Sequence, residues 1–220
     1  MDIRGYISSP GLCAALFDFD GTLCDTERFN NELSYRNLRS LGVEITFDEC
    51  LTRLVGKTDA DVIPAILAEA GSMATLDDYE RLQDGCMPTY RDADFAPAPG
   101  VVELLGELRA RGVKTAVVSS TSARCVLMGL DRTGLLPLFD VVVCGDMVSR
   151  HKPDPEPYEL GLSLLGVSAD EAIVFEDSRA GTVAGRAAGC RVVGVKVFDL
   201  GQDLSAADFL LESYESLLGE

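Results

Sequence analysis

From residue 100 onward, short β-branched apolar runs alternate with amphipathic helical stretches, and that alternation leaves few folds open. VVELLGELRARG puts Val101, Leu104, Leu105 and Leu108 on one helical face, and Gly112 ends it. VKTAVV (113–118), a helix to about 133, FDVVVC (139–144), a helix over 156–165, AIVFE (172–176), a helix from about 179 and CRVVGVKV (190–197) follow in turn. ADFLL (207–211) predicts a late strand before a short closing helix. Strands that are apolar throughout, rather than at every second residue, belong in a sheet covered on both faces. The fold class is therefore α/β, with a doubly wound parallel sheet.

Residues 25–95 break the rhythm. They hold no good strand candidate and four helical segments, roughly 27–41, 47–55, 59–70 and 76–92. AlaProAlaProGly at 96–100 is a stiff, non-helical return to the main domain. The expected division is a core domain of residues 1–24 and 96–220, with a helical cap over 25–95 inserted after the first strand. An insert there adjoins the carboxyl end of strand one, where open α/β sheets bind ligands, and is positioned to act as a lid.

Thirty-six acids against 19 Lys and Arg give a formal net charge of -17. That balance argues against nucleic acid as a partner, because phosphate backbones are gripped by clustered cations. Anionic membrane surfaces are disfavoured for the same reason. A small anionic substrate stays open if its positive field is local. No apolar run approaches a membrane span, and MDIRGYISSPG has no apolar core of the signal-peptide kind. Seven dispersed cysteines without a CxxC pair read as reduced thiols of a cytoplasmic protein. Oligomeric state is not legible.

FDFDGTLCDTE (17–27) places Asp18 and Asp20 at i and i+2, directly after the strand-like run 13–17. A strand sends both to one face, so one can attack while the other moves a proton. Three further signals follow predicted strands and so share that rim. Ser119-Ser120-Thr121 offers hydroxyls and backbone N–H groups at a helix start, which suit a phosphate. His151-Lys152-Pro153-Asp154-Pro155 holds one of only four lysines in a proline-stiffened loop. The lone histidine, His151, is a weaker candidate base. Glu176-Asp177 closes a later strand, and four converging carboxylates call for a hard cation with oxygen ligands, Mg²⁺ fitting best.

The ordered set DxDGT, Ser after the second strand, Lys-Pro in a loop and Glu-Asp after a later strand resembles the haloacid dehalogenase superfamily, from about residue 12 to 198. KPDPEPYELGLSLLGV, FEDSRAGTVAGRAAG and the early helical insert are similar to its β-phosphoglucomutase and phosphoglycolate-phosphatase branch. The resemblance implies a Rossmann-like core with an all-helical cap. It implies Asp18 as nucleophile forming an aspartyl-phosphate, Asp20 as acid and base, and Ser119 and Lys152 as holders of the phosphoryl group. It implies Mg²⁺ on the Asp18 side chain, the Asp20 carbonyl and Asp177, with Glu176 close by or acting through water.

Asp20 and the Glu176-Asp177 pair favour phosphoryl chemistry over dehalogenation. A phosphonatase of this type needs a cap lysine for a Schiff base, and the insert's only lysine is Lys57, after a hinge-like Gly56. β-Phosphoglucomutases resemble the chain around Asp25-Thr26, but carry a His where this chain has Asn30 and an Arg where it has Asp59. The expected activity is Mg-dependent hydrolysis of a small phosphomonoester, a sugar phosphate or similar metabolite, with a mutase as the alternative. Ser120, Thr26, Asn30, Arg53 and Lys57 are the candidate substrate contacts. A non-enzymatic binding module would be expected to have lost Asp18, Asp20, Lys152 or Asp177, and all are present. The insert's 15 acids and 7 basic residues read as a solvated surface rather than an interface.

Overall fold

The computed structural model describes residues 2–54, 59–198 and 201–219. The chain forms two compact units, one of Met1–Asp25 with Phe95–Glu220, the other of Thr26–Asp94. In chain order the first unit opens with α1 (Ile3–Ile7) and β1 (Ala14–Phe17). The second unit supplies α2 (Glu27–Ser40), α3 (Phe47–Leu54), α4 (Asp59–Glu69), α5 (Leu76–Gln83) and α6 (Met87–Asp92). The first unit resumes with α7 (Val101–Ala110), β2 (Lys114–Val118), α8 (Ala123–Arg132), β3 (Val141–Val143), α9 (Glu156–Leu165) and β4 (Ala172–Glu176). It ends with α10 (Arg179–Ala187), β5 (Arg191–Val195) and β6 (Phe209–Leu211). No helix among the described residues is long and apolar enough to cross a membrane.

The six strands form one sheet in the order β3-β2-β1-β4-β5-β6, and every neighbouring pair is parallel. This is the Rossmann-like α/β fold. β1 and β4 are buried along their whole length, as apolar runs in a two-sided sheet must be. Leu16, Val118, Val143 and Val174 share one core cluster with Tyr158 and Leu162 of α9. On Phe17 and Phe175 the register sets two rings side by side, stacked with centroids 4.5 Å apart. The winding runs outward from β1 through β2 to β3, then restarts at β4 and runs the other way. The reversal falls between β1 and β4, and the crevice beyond their carboxyl ends is where such sheets place ligands.

The helical unit has its own core of Leu38, Val43, Ile45, Cys50, Ile63, Ile66, Leu67 and Tyr79. Within it Asn37 Nδ2 donates to Gln83 Oε1 (2.8 Å), and Gln83 Nε2 donates to Ser34 Oγ (2.9 Å). The single helix expected over 76–92 is two. Asp84, Gly85 and Cys86 take φ of 44°, 59° and 63°, which breaks the ladder, and Pro88 then sits in the first turn of α6, where its missing N–H costs nothing. The expected closing helix is a 3₁₀ turn, Tyr214–Leu217, and α1, N-capped by the Asp2 carboxylate, went unanticipated.

Candidate active site

Asp18 directly follows β1, and its N–H donates to the Phe175 carbonyl of β4 (2.9 Å), so the strand pairing itself delivers its side chain to the reversal point. The chain then folds back tightly, with Gly21 N–H on the Cys24 carbonyl (2.8 Å) and Leu23 N–H on that of Phe19 (3.0 Å). Gly21 has φ +77°, and a Cβ there would lie 2.3 Å from Asp177 Oδ2. Thr22 Oγ1 donates to Asp177 Oδ1 (3.1 Å). The Gly-Thr of the motif therefore serves Asp177: one residue makes room for that carboxylate and the next holds it.

Lys152 reaches the site from the loop before α9. Its ammonium donates to Asp18 Oδ1 (2.6 Å), the Val118 carbonyl (2.8 Å) and Glu176 Oε1 (2.5 Å), which uses all three of its protons. The loop is fixed from beneath: the Glu156 carboxylate accepts the Ser149 and Arg150 N–H groups, and Asp154 pairs with Arg150. Among the described residues no donor reaches Asp18 Oδ2.

Glu176 is fully buried and fully bonded. Oε1 accepts from Lys152 and from Tyr158 OH (2.7 Å), and Oε2 from Ser178 Oγ (3.0 Å) and Ser178 N–H (3.3 Å). A Cβ on Gly181 would overlap this carboxylate. The Lys152 ammonium also lies 5.0 Å from the centroid of the Tyr158 ring, within cation–π range. Burial pushes the Asp18 carboxyl well above the usual carboxylate range. Lys152 opposes that, while Glu176, Asp177 and Asp20 add to it. Burial favours neutral Lys152, but Asp18 and Glu176 overcome it and hold the ammonium charged.

One ammonium among these carboxylates leaves negative charge unbalanced. Ligand oxygens of Asp18, Glu176 and Asp177 lie within 4.8 Å of one another. An all-oxygen donor set of this size fits a hard divalent ion such as Mg²⁺. Both Glu176 oxygens already accept protein donors, Asp18 Oδ1 accepts from Lys152 and Asp177 Oδ1 accepts from Thr22. The Asp20 carboxylate is not in this cluster. It faces β2's end, where Thr121 Oγ1 (2.8 Å) and Ser119 Oγ (3.4 Å) donate to Oδ2.

Ser119 is buried beside Asp20, and its Oγ also accepts the Thr121 N–H (3.0 Å). Ser120 is exposed, and among the described residues its side chain has no partner. His151 is exposed as well. In the helical unit, Thr26 is buried just before α2 and makes no side-chain cap. Asn30, in the first turn, has a buried Oδ1 without a hydrogen-bond partner. Arg53 pairs with Glu69 (2.7 Å). Lys57 and Gly56 lie outside the described residues. The sequence reading gave no role to Thr22 or Tyr158, and it placed Thr121 only among the hydroxyls that suit a phosphate, not beside Asp20. Tyr158 carried a usable signal, an aromatic residue opening the helix that follows the Lys-Pro loop.

The parallel sheet with its carboxylate–lysine cluster at the reversal point defines a hydrolase-type α/β enzyme. The sequence profile of the haloacid dehalogenase-like hydrolases matches residues 15–195, and the chain belongs to that family. Its relatives place it in the branch of phosphatases and β-phosphoglucomutase-like proteins. It is 36% identical over 204 residues to validoxylamine A 7'-phosphate phosphatase of Streptomyces hygroscopicus subsp. limoneus, covering 90% of this chain and 92% of that one. It is 34% identical over 184 residues to a phosphorylated carbohydrates phosphatase of Thermotoga maritima, covering 83% and 84%. A Thermotoga maritima structure provisionally described as a β-phosphoglucomutase superposes with a TM-score of 0.80 at 33% identity, over 93% and 96% of the two chains. The protein is accordingly an enzyme of the phosphatase type.

Proposed function

We propose that this protein hydrolyses a small phosphomonoester, a sugar phosphate or similar metabolite, through an aspartyl-phosphate on Asp18. One observation carries the reading: Lys152 fixes Asp18 by Oδ1, and among the described residues no donor occupies Oδ2. Oδ2 attacks phosphorus, the P–O ester bond breaks, and the leaving oxygen takes a proton from Asp20. A water then attacks the same phosphorus, giving a proton to Asp20, and the P–Oδ2 bond breaks to restore Asp18. Phosphoryl transfer of this kind needs alignment and charge neutralisation above all. Ser119 and Lys152 are the phosphoryl-side residues. Since every Lys152 proton is engaged, contact with a phosphoryl oxygen requires exchange of one existing bond.

Mg²⁺, when bound by Asp18, Asp177 and the Asp20 carbonyl with Glu176 adjoining, supplies charge neutralisation at the phosphoryl oxygens. Ser120 and, in the helical unit, Thr26, Asn30, Arg53 and Lys57 are the proposed substrate contacts, with residues 25–95 as the cap domain and 1–24 and 96–220 as the core domain. Five of the seven free cysteines are buried, which supports a reducing, cytoplasmic setting. The branch also admits a phosphosugar mutase. Asp59, which opens α4, stands where such mutases carry an Arg, and this favours hydrolysis.

The test is phosphate release from a panel of phosphomonoesters with Mg²⁺, run beside glucose 6-phosphate formation from β-glucose 1-phosphate. Phosphate release that stops with EDTA and returns with Mg²⁺ is expected. Full turnover after exhaustive chelation would overturn the metal assignment, and glucose 6-phosphate without phosphate would overturn hydrolysis.

A further inference from the structure

We propose that Thr121 is a positioning residue for Asp20, its hydroxyl fixing the carboxylate that moves both protons. The inference rests on Asp20 acting as acid and base. Thr121 Oγ1 donates to Asp20 Oδ2 at 2.8 Å, a short and well-formed bond. Ser119 Oγ also donates to that oxygen, but at 3.4 Å, the edge of hydrogen-bonding range, while it accepts the Thr121 N–H. A hydroxyl has one proton to give, and that of Thr121 goes to Asp20.

The segment carrying Thr121 is clamped on both sides. Ser119 N–H donates to the Val143 carbonyl of β3 (3.0 Å), and the Thr121 carbonyl accepts the Gly145 N–H (2.9 Å). Gly145 is close enough that a Cβ would overlap the Ser120 carbonyl oxygen. Thr121 is also β-branched, which stiffens χ1. The hydroxyl therefore arrives from a rigid base, and holding Oδ2 sets the plane of the Asp20 carboxylate and the direction of Oδ1. Proton transfer to a departing alkoxide is steeply sensitive to such alignment.

The experiment compares Thr121→Val, Thr121→Ser and Asp20→Asn with the wild type, using kcat/KM for an alkyl phosphomonoester and for p-nitrophenyl phosphate. An alkoxide needs the proton to leave, and p-nitrophenolate does not. Thr121→Val is expected to lower kcat/KM on the alkyl ester about 30-fold, and on p-nitrophenyl phosphate by under about threefold. Its melting temperature should stay unchanged, and Thr121→Ser should restore the alkyl rate. Wild-type alkyl kinetics in Thr121→Val, or equal loss on both substrates, would overturn the proposal. Asp20→Asn separates the two ideas. Loss of alkyl turnover there beside an intact Thr121→Val removes only the role of Thr121, whereas full turnover in Asp20→Asn removes the role of Asp20 as well.

Discussion

In the unit built on the sheet, side chains from four distant segments close on one point, and nearly every polar atom there has a named partner. In the helical unit, two of the polar residues singled out as substrate contacts, Arg53 and Asn30, are paired locally or unsatisfied. Arg53 is tied to Glu69 in a partly exposed pair, and Asn30 keeps a buried oxygen without a bond. The contrast separates two demands. Chemistry needs charges held at fixed distances in a dry setting, which a saturated network provides. Selection among substrates needs groups still able to make new bonds, and an unsatisfied amide is such a group.

The sharpest way to break this comparison is at Asp18. Asp18→Asn should lower phosphate release by about 10⁴-fold or more, as loss of a nucleophile does, while circular dichroism and melting temperature stay near wild type. Activity within tenfold of wild type would refute the nucleophile and with it the division of labour.

Next in size is the effect of Lys152 on stability. Lys152→Met removes the one cation between two buried carboxylates, and breaking a buried pair from one side costs about 3–5 kcal/mol. Urea denaturation should show that loss, and Lys152→Met/Glu176→Gln should recover part of it. A single variant as stable as wild type would mean that the ammonium does not offset those charges.

Asn30 tests the other unit. Asn30→Ala should change kcat/KM ratios between sugar phosphates by about tenfold or less, the scale of one buried hydrogen bond, and leave stability unchanged or slightly higher. Uniform loss on every substrate would place Asn30 with the chemistry rather than with selection.

The smallest effect lies far from either. Burial alone would raise Asp208, but the Val192 N–H, Arg191 and Arg186 hold its carboxyl below the usual range. A depressed carboxyl adds stability above its ordinary pKa, near 4, and that stability is lost as pH falls through its folded value. The melting-temperature gap between wild type and Asp208→Asn should therefore be full at pH 7 and shrink toward pH 3. A gap independent of pH would show that the ion pairs contribute nothing.

Legibility in the sequence followed the same division. The strands were readable because runs such as AIVFE are apolar throughout, and α9 was readable because prolines set its start and Gly166 its end. Asp18, Asp20, Lys152 and Asp177 were readable because each follows a strand and a parallel sheet aims every strand end at one rim. What escaped depends on partners distant in sequence. Nothing near Tyr158 shows that its hydroxyl meets Glu176, and Thr121 looks like any hydroxyl before a helix until β1 and β2 are placed side by side. The break at 84–86 escaped because Asp84 and Cys86 adopt left-handed backbone that their identities do not demand.

The long reach of the Lys152 contacts bears on how the protein can be handled. Asp18 and Lys152 are 134 residues apart, Asp20 and Thr121 are 101 apart, and Thr22 and Asp177 are 155 apart. Closing loops of that span is slow compared with forming helices. During refolding from denaturant, helical ellipticity should return well before turnover, and the returning rate of phosphate release would serve as a clock for the last of these closures.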